Sequence, residues 1–380
     1  MKLQGKMLIP LLLVFVASIA VVVGTIVFQQ SRVIRRDVIQ LSREIANTES
    51  KKLATLLDKA YYISDAMART LEEYRGVDAG NKREFALRSL KGALASNPDF
   101  IGTWACFESG AFDGMDAEYA NTSPFTEEGH FASYWYHTDS GLASTALEDY
   151  QTAEWYTKAR DRGSPVILEP FTYEVEGEEI LMTTLAVPVR GNGEVIGVTG
   201  IDIPLDSFQR IIEGIHPFET GYAFVVSHSA QIIAHPRKDL VQTEAGQYFN
   251  NPDEFRESVS AGEVYTETKQ AMGGQQDASV FITVPLTIAG IDETWGFGIS
   301  SPLTKVNAQR RTLITTGLVI GVIFALITGI VVFLLVRSIT RPIKVITGGA
   351  LNLSEGDISL RNLSDTEKAR ITARSEELGE

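Results

Sequence analysis

The sequence predicts an α+β protein. A long N-terminal helix and two antiparallel-sheet modules lie between two membrane-spanning helices, with one further helical tract behind the second. Three observations predict it. Residues 7–28 and 313–336 are runs of 22 and 24 residues without a charge, and a helix needs roughly 20 apolar residues to cross a bilayer core. No Pro or Gly interrupts residues 31–75, so one helix is expected to continue out of the first run. From Phe100 onward, short stretches rich in β-branched and aromatic residues alternate with turn residues, the mark of strands.

The first apolar run exceeds the roughly 7–15 apolar residues of a cleaved signal peptide, so an uncleaved anchor is expected. Two spans put both termini on one side. Lys2 and Lys6 before the first span face Arg32, Arg35 and Arg36 behind it. Lys305, Arg310 and Arg311 before the second face Arg337, Arg341 and Lys344 behind it. The positive-inside rule therefore gives no orientation. Between the spans, residues 29–309 carry 41 Asp plus Glu against 23 Lys plus Arg. So acidic a surface argues against a nucleic-acid partner. The single cysteine, Cys106, excludes an intrachain disulfide and reads as a small buried residue.

Within the long helix, Leu53, Leu56, Ala60, Ile63, Met67 and Leu71 recur at spacings of three and four. This stripe is either a packing face or a dimer seam. Residues 101–107, 133–136, 180–189 and 194–203 read as strands. Asn192-Gly193 between the last two predicts a tight hairpin, because both residues accept positive φ. The hairpin accounts for Gly191, Gly193 and Gly197, whose spacing misses the dinucleotide-binding fingerprint. Residues 205–215 read as a connecting helix, and residues 221–236, 280–285 and 294–300 as strands of a second, smaller sheet. That order gives two antiparallel modules.

Several constellations point to little chemistry. His130 and His137, like His228 and His235, are seven apart, which on a strand puts them on opposite faces. Asp113, Asp116 and Glu118 lack the order of a calcium loop and read as a solvated loop. No Walker loop, paired Cys-x-x-Cys, Gly-x-Ser-x-Gly or His-Glu-x-x-His occurs. No enzyme activity, metal or cofactor is expected.

The ordered strings Phe112-Asp113-Gly114-Met115-Asp116, Tyr134-Trp135-Tyr136, Glu154-Trp155-Tyr156, Glu169-Pro170-Phe171, Met182-Thr183-Thr184 and Gly197-Val198-Thr199-Gly200-Ile201-Asp202 resemble the double Cache sensor domain. Gly221-Tyr222-Ala223-Phe224 with Ile233-Ala234-His235-Pro236 resembles its membrane-proximal module. The family forms the extracytoplasmic part of many bacterial chemoreceptors, sensor kinases and cyclases. The resemblance implies PAS-like modules, a distal one over about 76–204 and a proximal one over about 216–302. It also implies an extracytoplasmic domain at 29–309, a cytoplasmic N-terminus at 1–6, and a homodimer in the bacterial inner membrane. After the second span, Arg341-Pro342-Ile343 resembles the start of a HAMP relay. Its apolar seam would be Ile343, Ile346, Ala350 and Leu353, with Pro342 at the entry. Residues 337–380 match at most half of a HAMP, so a downstream signalling domain or protein is expected outside this chain.

Amino-acid-binding members of the family place an Arg two residues before a Trp-Tyr pair, a Tyr-x-Asp after a proline, and an Asp at the end of a later strand. Here Trp155-Tyr156 and Asp202 match, but Ala153, Phe171 and Tyr173 stand where the Arg, Tyr and Asp would be. Without the Arg, no group grips a carboxylate bidentately. What remains is aromatic and acidic: Trp135, Tyr136, Trp155, Tyr156, Phe171, Tyr173 and Asp202, with Glu169 or Glu174 as further acids. Such a set favours an amine or quaternary ammonium. The bland readings are sheet core for the aromatics and a strand-end turn cap for Asp202. The expected function is a transmembrane chemoreceptor for a small ligand. The alternatives are the sensor of a histidine kinase or nucleotide cyclase, and a membrane-anchored binding protein or enzyme without signalling.

Overall fold

The structure, a computed structural model, describes residues 3–74, 81–175, 177–270, 278–303 and 315–335, with 337, 338, 347, 366 and 369. Pro342, Ile343, Ile346, Ala350 and Leu353 lie outside the described residues. The chain divides into a unit of residues 34–308 and a unit of residues 1–33 with 309–380. In the second of these, the helix Thr315–Leu335 is long and apolar enough to cross a membrane, with a mean hydropathy of 3.1. At about 1.5 Å per residue its 21 residues match the ~30 Å hydrocarbon core.

Helix α1 (Leu3–Glu73) begins with the first apolar run and continues into the larger unit. There it forms the spine. Leu53, Ala60, Met67 and Leu71 are buried in the unit's own core, with Leu56 and Ile63 packed against them. The stripe is thus a packing face. The hydrophobic gain of covering it is already taken inside one chain, so it does not serve as a seam between two. Polar contacts fix α1 along its length. Ser42 Oγ lies 2.7 Å from Ser301 Oγ. Asp58 Oδ1 accepts from the Ala289 N–H at 2.8 Å, and Glu72 Oε1 from the Arg190 N–H at 2.8 Å.

The first module runs α2 (Lys82–Ala95), β1 (Gly102–Phe107), α3 (Asp116–Tyr119), β2 (Ala132–Thr138), β3 (Gly141–Ala146), α4 (Glu154–Arg162), β4 (Val166–Ile167), β5 (Phe171–Val175), β6 (Glu178–Gly191) and β7 (Glu194–Pro204). Its antiparallel sheet has the order β3-β2-β1-β7-β6-β4, with β5 also paired to β6. Asn192 and Gly193 turn β6 into β7 with φ of 55° and 90°, as their residue types require. α5 (Leu205–Glu213) leads to the second module: β8 (Tyr222–Val226), β9 (Ile232–Ala234), α6 (Pro252–Ser260), β10 (Tyr265–Gln270), β11 (Ala278–Leu286) and β12 (Trp295–Pro302). Its sheet order is β10-β11-β12-β8-β9.

Strand alternation divides each sheet's side chains. In the first sheet, Ala105, Phe107, Leu185, Val187, Ile201 and Ile203 join α1 and α2 in one core. Trp104, Cys106, Tyr134, Met182, Ala186 and Val198 face the other way, toward α4. In the second sheet, the face away from α1 is filled by Phe224, Phe249, Phe255 and Phe281. Phe249 and Phe255 stack at 4.0 Å between ring centroids. The first sheet's equivalent face is less completely filled.

Asp113 and Asp116 are not in a solvated loop. Both pair with Arg83 of α2, which is 2% exposed. Arg83 Nε and Nη2 donate to Asp113 at 2.9 Å each, Nη2 also to Asp116 Oδ1 at 2.7 Å, and Nη1 to the Gly129 carbonyl at 2.7 Å. The rings of Tyr119 and Phe125 flank the guanidinium, 4.2 and 4.7 Å from Cζ to the centroids. Burial would raise the Asp113 pKa, but the Arg83 bonds and the Met115 N–H outweigh it and hold the carboxyl below its ordinary range.

Candidate functional site

The open face of the first sheet holds a narrow cavity of about 10 Å³ that opens to solvent. Trp104, Tyr134, Leu147, Trp155, Phe171, Tyr173, Met182, Thr184 and Asp202 line it. Register explains the grouping. Asp202 pairs across β7 with Gly102 on one side and with Thr184 on the other, and Trp104 pairs with Tyr134 and Gly200. All therefore project from the same face.

Two glycines set the floor. A Cβ on Gly102 would fall 2.4 Å from the Tyr134 ring, and one on Gly200 2.4 Å from the Trp104 ring and 2.9 Å from the Leu185 carbonyl. The two aromatics can lie across the sheet only because those Cβ atoms are missing. Gly200→Ala is expected to drive the Trp104 ring out of place, at about 1–3 kcal/mol of overpacking. Near-ultraviolet circular dichroism and the melting temperature would both register the change.

Asp202 is 5% exposed. Its Oδ1 accepts from Thr184 Oγ1 at 2.5 Å and from Trp104 Nε1 at 3.2 Å. Tyr134's buried hydroxyl faces the carboxylate but falls short of hydrogen-bond geometry. Among the described residues, no ion pair or further hydrogen bond reaches the Asp202 carboxyl group, and no Lys or Arg lines the cavity. Burial therefore pushes its pKa up to about 6, partly offset by Thr184, Trp104 and Tyr134. Burial and the acids Asp149 and Asp202 likewise push the Tyr173 hydroxyl up. The cavity thus sets one carboxyl group, with no Lys or Arg in the lining, among the rings of Trp104, Tyr134, Trp155, Phe171 and Tyr173. Trp104 and Trp155 meet edge to face at 4.8 Å.

Four of the seven residues proposed from sequence line the cavity: Trp155, Phe171, Tyr173 and Asp202. Asp202 is a buried acceptor, not a turn cap. The other three lie elsewhere. Trp135 packs on the α1 side of the sheet, with Lys91 Nζ 5.0 Å from its ring centroid. Tyr136 stacks on Tyr134 at 5.6 Å, behind the lining. Tyr156 is buried, and its hydroxyl donates to Glu108 Oε1 at 2.8 Å. Glu174 is exposed, and Glu169 turns away to His228, 2.9 Å from its Nδ1. Sequence reasoning missed Trp104, Tyr134, Leu147, Met182 and Thr184. Gly200 and Gly102 were the available signal, since a glycine inside a strand marks a close approach. Among the described residues no group of three or more His, Cys, Asp or Glu is placed to hold a metal.

In a two-module antiparallel fold, an aromatic cavity with one buried acid on the first sheet is the candidate ligand site. Residues 87–210 match the family described as methyl-accepting chemotaxis protein-like, first PDC sensor domain. The chain is 27% identical over 345 residues to the methyl-accepting chemotaxis protein TlpQ of Pseudomonas aeruginosa, covering 82% of this chain and 46% of that protein. It is 26% identical over 230 residues to PctB of the same organism, covering 60% and 34%. The chain thus spans less than half the length of these relatives. Among solved structures, the extracellular domain of the histidine kinase candidate mmHK1S-Z3 superposes with a TM-score of 0.61 at 25% identity, over 76% of this chain and 98% of that one. The periplasmic sensory domain of the Campylobacter jejuni chemoreceptor Tlp1 superposes at 0.58 and 14% identity, over 71% and 96%, a likeness of fold. Residues 87–210 are therefore similar to the first sensor module of methyl-accepting chemotaxis protein-like receptors, and the two-module fold is similar to the extracellular sensor domain of mmHK1S-Z3.

Proposed function

We propose that this chain is the sensing part of a two-pass chemoreceptor of the bacterial inner membrane, and that its ligand is a small amine or quaternary ammonium. The observation that carries the ligand class is Asp202: a buried carboxylate bonded at one oxygen, ringed by five aromatic side chains and facing no Lys or Arg of the lining. Each ring face offers a cation about 0.5–2 kcal/mol, and the carboxylate supplies the countercharge. A ligand's own carboxylate would meet a like charge.

In this reading residues 7–28 and 313–336 are the spans, residues 29–309 are extracytoplasmic, and residues 337–380 are a partial HAMP. The ligand shifts a two-state equilibrium by its differential affinity. The second span and the HAMP helix, with Pro342, Ile343, Ile346, Ala350 and Leu353, report the change inside. A homodimer would use a face other than the Leu53–Leu71 stripe. The chemotaxis output follows the curated relatives. The histidine kinase alternative draws on the likeness to the mmHK1S-Z3 domain.

Thermal denaturation of the full chain in lipid nanodiscs tests the ligand class. Choline, tetramethylammonium and primary amines are expected to raise the melting temperature, while carboxylates of similar size leave it unchanged. Stabilisation by carboxylates alone would refute the reading.

A further inference from the structure

We propose that the two movable walls of the Asp202 cavity are also the two tethers of the second module, so that occupancy of the cavity passes through them. This rests on the reading of the cavity as the ligand site. Among the described residues, the ion pairs and the carboxylate–imidazole contact that join elements of the first module to the second come from α4 and from Glu169 just before β5, respectively. Those are the elements that carry Trp155, Phe171 and Tyr173.

On α4, Trp155 near the N-terminus lines the cavity. Arg162 is the last residue of the same helix. Its Nη2 lies 2.9 Å from Asp292 Oδ2, and its Nη1 bonds Glu293. The helix is a rigid lever of about 10 Å between the two residues, at ~1.5 Å per residue. On the other wall, Phe171 and Tyr173 line the cavity, and Glu169 precedes Phe171 by two residues. Glu169 Oε1 lies 2.9 Å from His228 Nδ1 and accepts from the Ser229 N–H at 3.3 Å. The buried Pro170 between them has its φ fixed by its ring, which couples Glu169 to Phe171.

The receiving segments are informative. Asp292 and Glu293 sit in the loop between β11 and β12. The same loop is held by α1: the Ala289 N–H donates to Asp58, and Gly290 lies against the Tyr61 ring. It opens directly into β12, the last strand before the apolar helix Thr315–Leu335 in chain order. His228 and Ser229 form the turn between β8 and β9. A shift of either wall therefore acts at the end of a strand in the second sheet. Close-packed elements of this kind move between discrete arrangements and do not bend continuously.

Amide hydrogen exchange on the full chain in nanodiscs tests the tethers without any ligand. Trp155→Ala is expected to speed exchange in residues 287–294, and Phe171→Ala in residues 227–231, each by about threefold or more, with α6 unchanged. Both effects should disappear when the tether is cut first, with Arg162→Gln and Glu169→Gln respectively. Wall variants that leave these segments at wild-type rates, or that change them equally with the tethers cut, overturn the proposal. So does uniform acceleration that includes α6. In a second arm, tetramethylammonium is expected to alter exchange in the same segments of the wild type. Arg162→Gln and Glu169→Gln should keep its affinity and lose that distant response. Coupling without tetramethylammonium binding would remove the ammonium reading and leave the tethers standing.

Discussion

Asp202→Asn is expected to abolish ammonium binding and, at the same time, to stabilise the unliganded chain at neutral pH. The two effects have one cause. The folded chain holds the Asp202 carboxyl at a pKa of about 6, against an ordinary value of 3.8, because burial outweighs the bonds it accepts. A raised carboxyl pKa means that the folded state favours the protonated form. The destabilisation is absent below the unfolded value near 4, grows as pH rises, and is complete above about 6. Its size at neutral pH is on the order of 3 kcal/mol. Asparagine keeps an oxygen to accept from Thr184 and Trp104 and removes the charge. The variant should therefore melt above the wild type at pH 8, and its advantage should vanish near pH 4. Removing one member of a buried charge pair costs about 2–5 kcal/mol of binding, so the ammonium ligand should lose most of its affinity. Calorimetric unfolding at the two pH values and a binding titration check both halves. A variant that binds normally, or that is less stable than the wild type at pH 8, would go against the assignment.

Arg83→Met is expected to be the most damaging change to stability outside the cavity. It leaves Asp113, whose side chain is fully buried, with little but the Met115 N–H as a partner. Breaking a buried ion pair by deleting one member costs about 3–5 kcal/mol, because a charge is left without compensation. Deleting the charges together is milder. Arg83→Met with Asp113→Asn should recover part of the loss, and a double-mutant cycle in denaturant isolates the coupling. The cluster contributes nothing to the cavity lining, so the folded fraction of Arg83→Met should still bind the ammonium ligand. If the single variant unfolds at the wild-type denaturant concentration, the cluster is not the clamp that its geometry describes.

The elements that sequence revealed are those whose signals are local. The 24-residue apolar run, the Asn192-Gly193 turn and the apolar, β-branched run of residues 180–189 each depend on a few neighbouring residues. The site was half legible for the opposite reason. Tyr134, Trp135 and Tyr136 follow one another, and only the strand register tells which face each takes. Register put Tyr134 beside Trp104 and turned Trp135 to the far side. Trp155 and Tyr156 are adjacent on a helix, where neighbours point about 100° apart, so one lines the cavity and the other is core. The α1 stripe was readable as amphipathic, but its occupant was not, since a monomer's core and a dimer seam ask for the same spacing. The Arg83 cluster spans 30 residues of chain to Asp113 and 46 to Gly129, and no short-range pattern marks it.

The most direct measurement is the pH dependence of ammonium affinity, taken by isothermal titration of the full chain in nanodiscs with whichever cation stabilises it most. A cation binds the ionised form of Asp202. Affinity should then be constant above about pH 7 and fall toward tenfold per pH unit below about 6, with proton release on binding in that range. Affinity that is flat through pH 6, or that strengthens as the acid protonates, would contradict recognition of a cation by a buried, ionised Asp202.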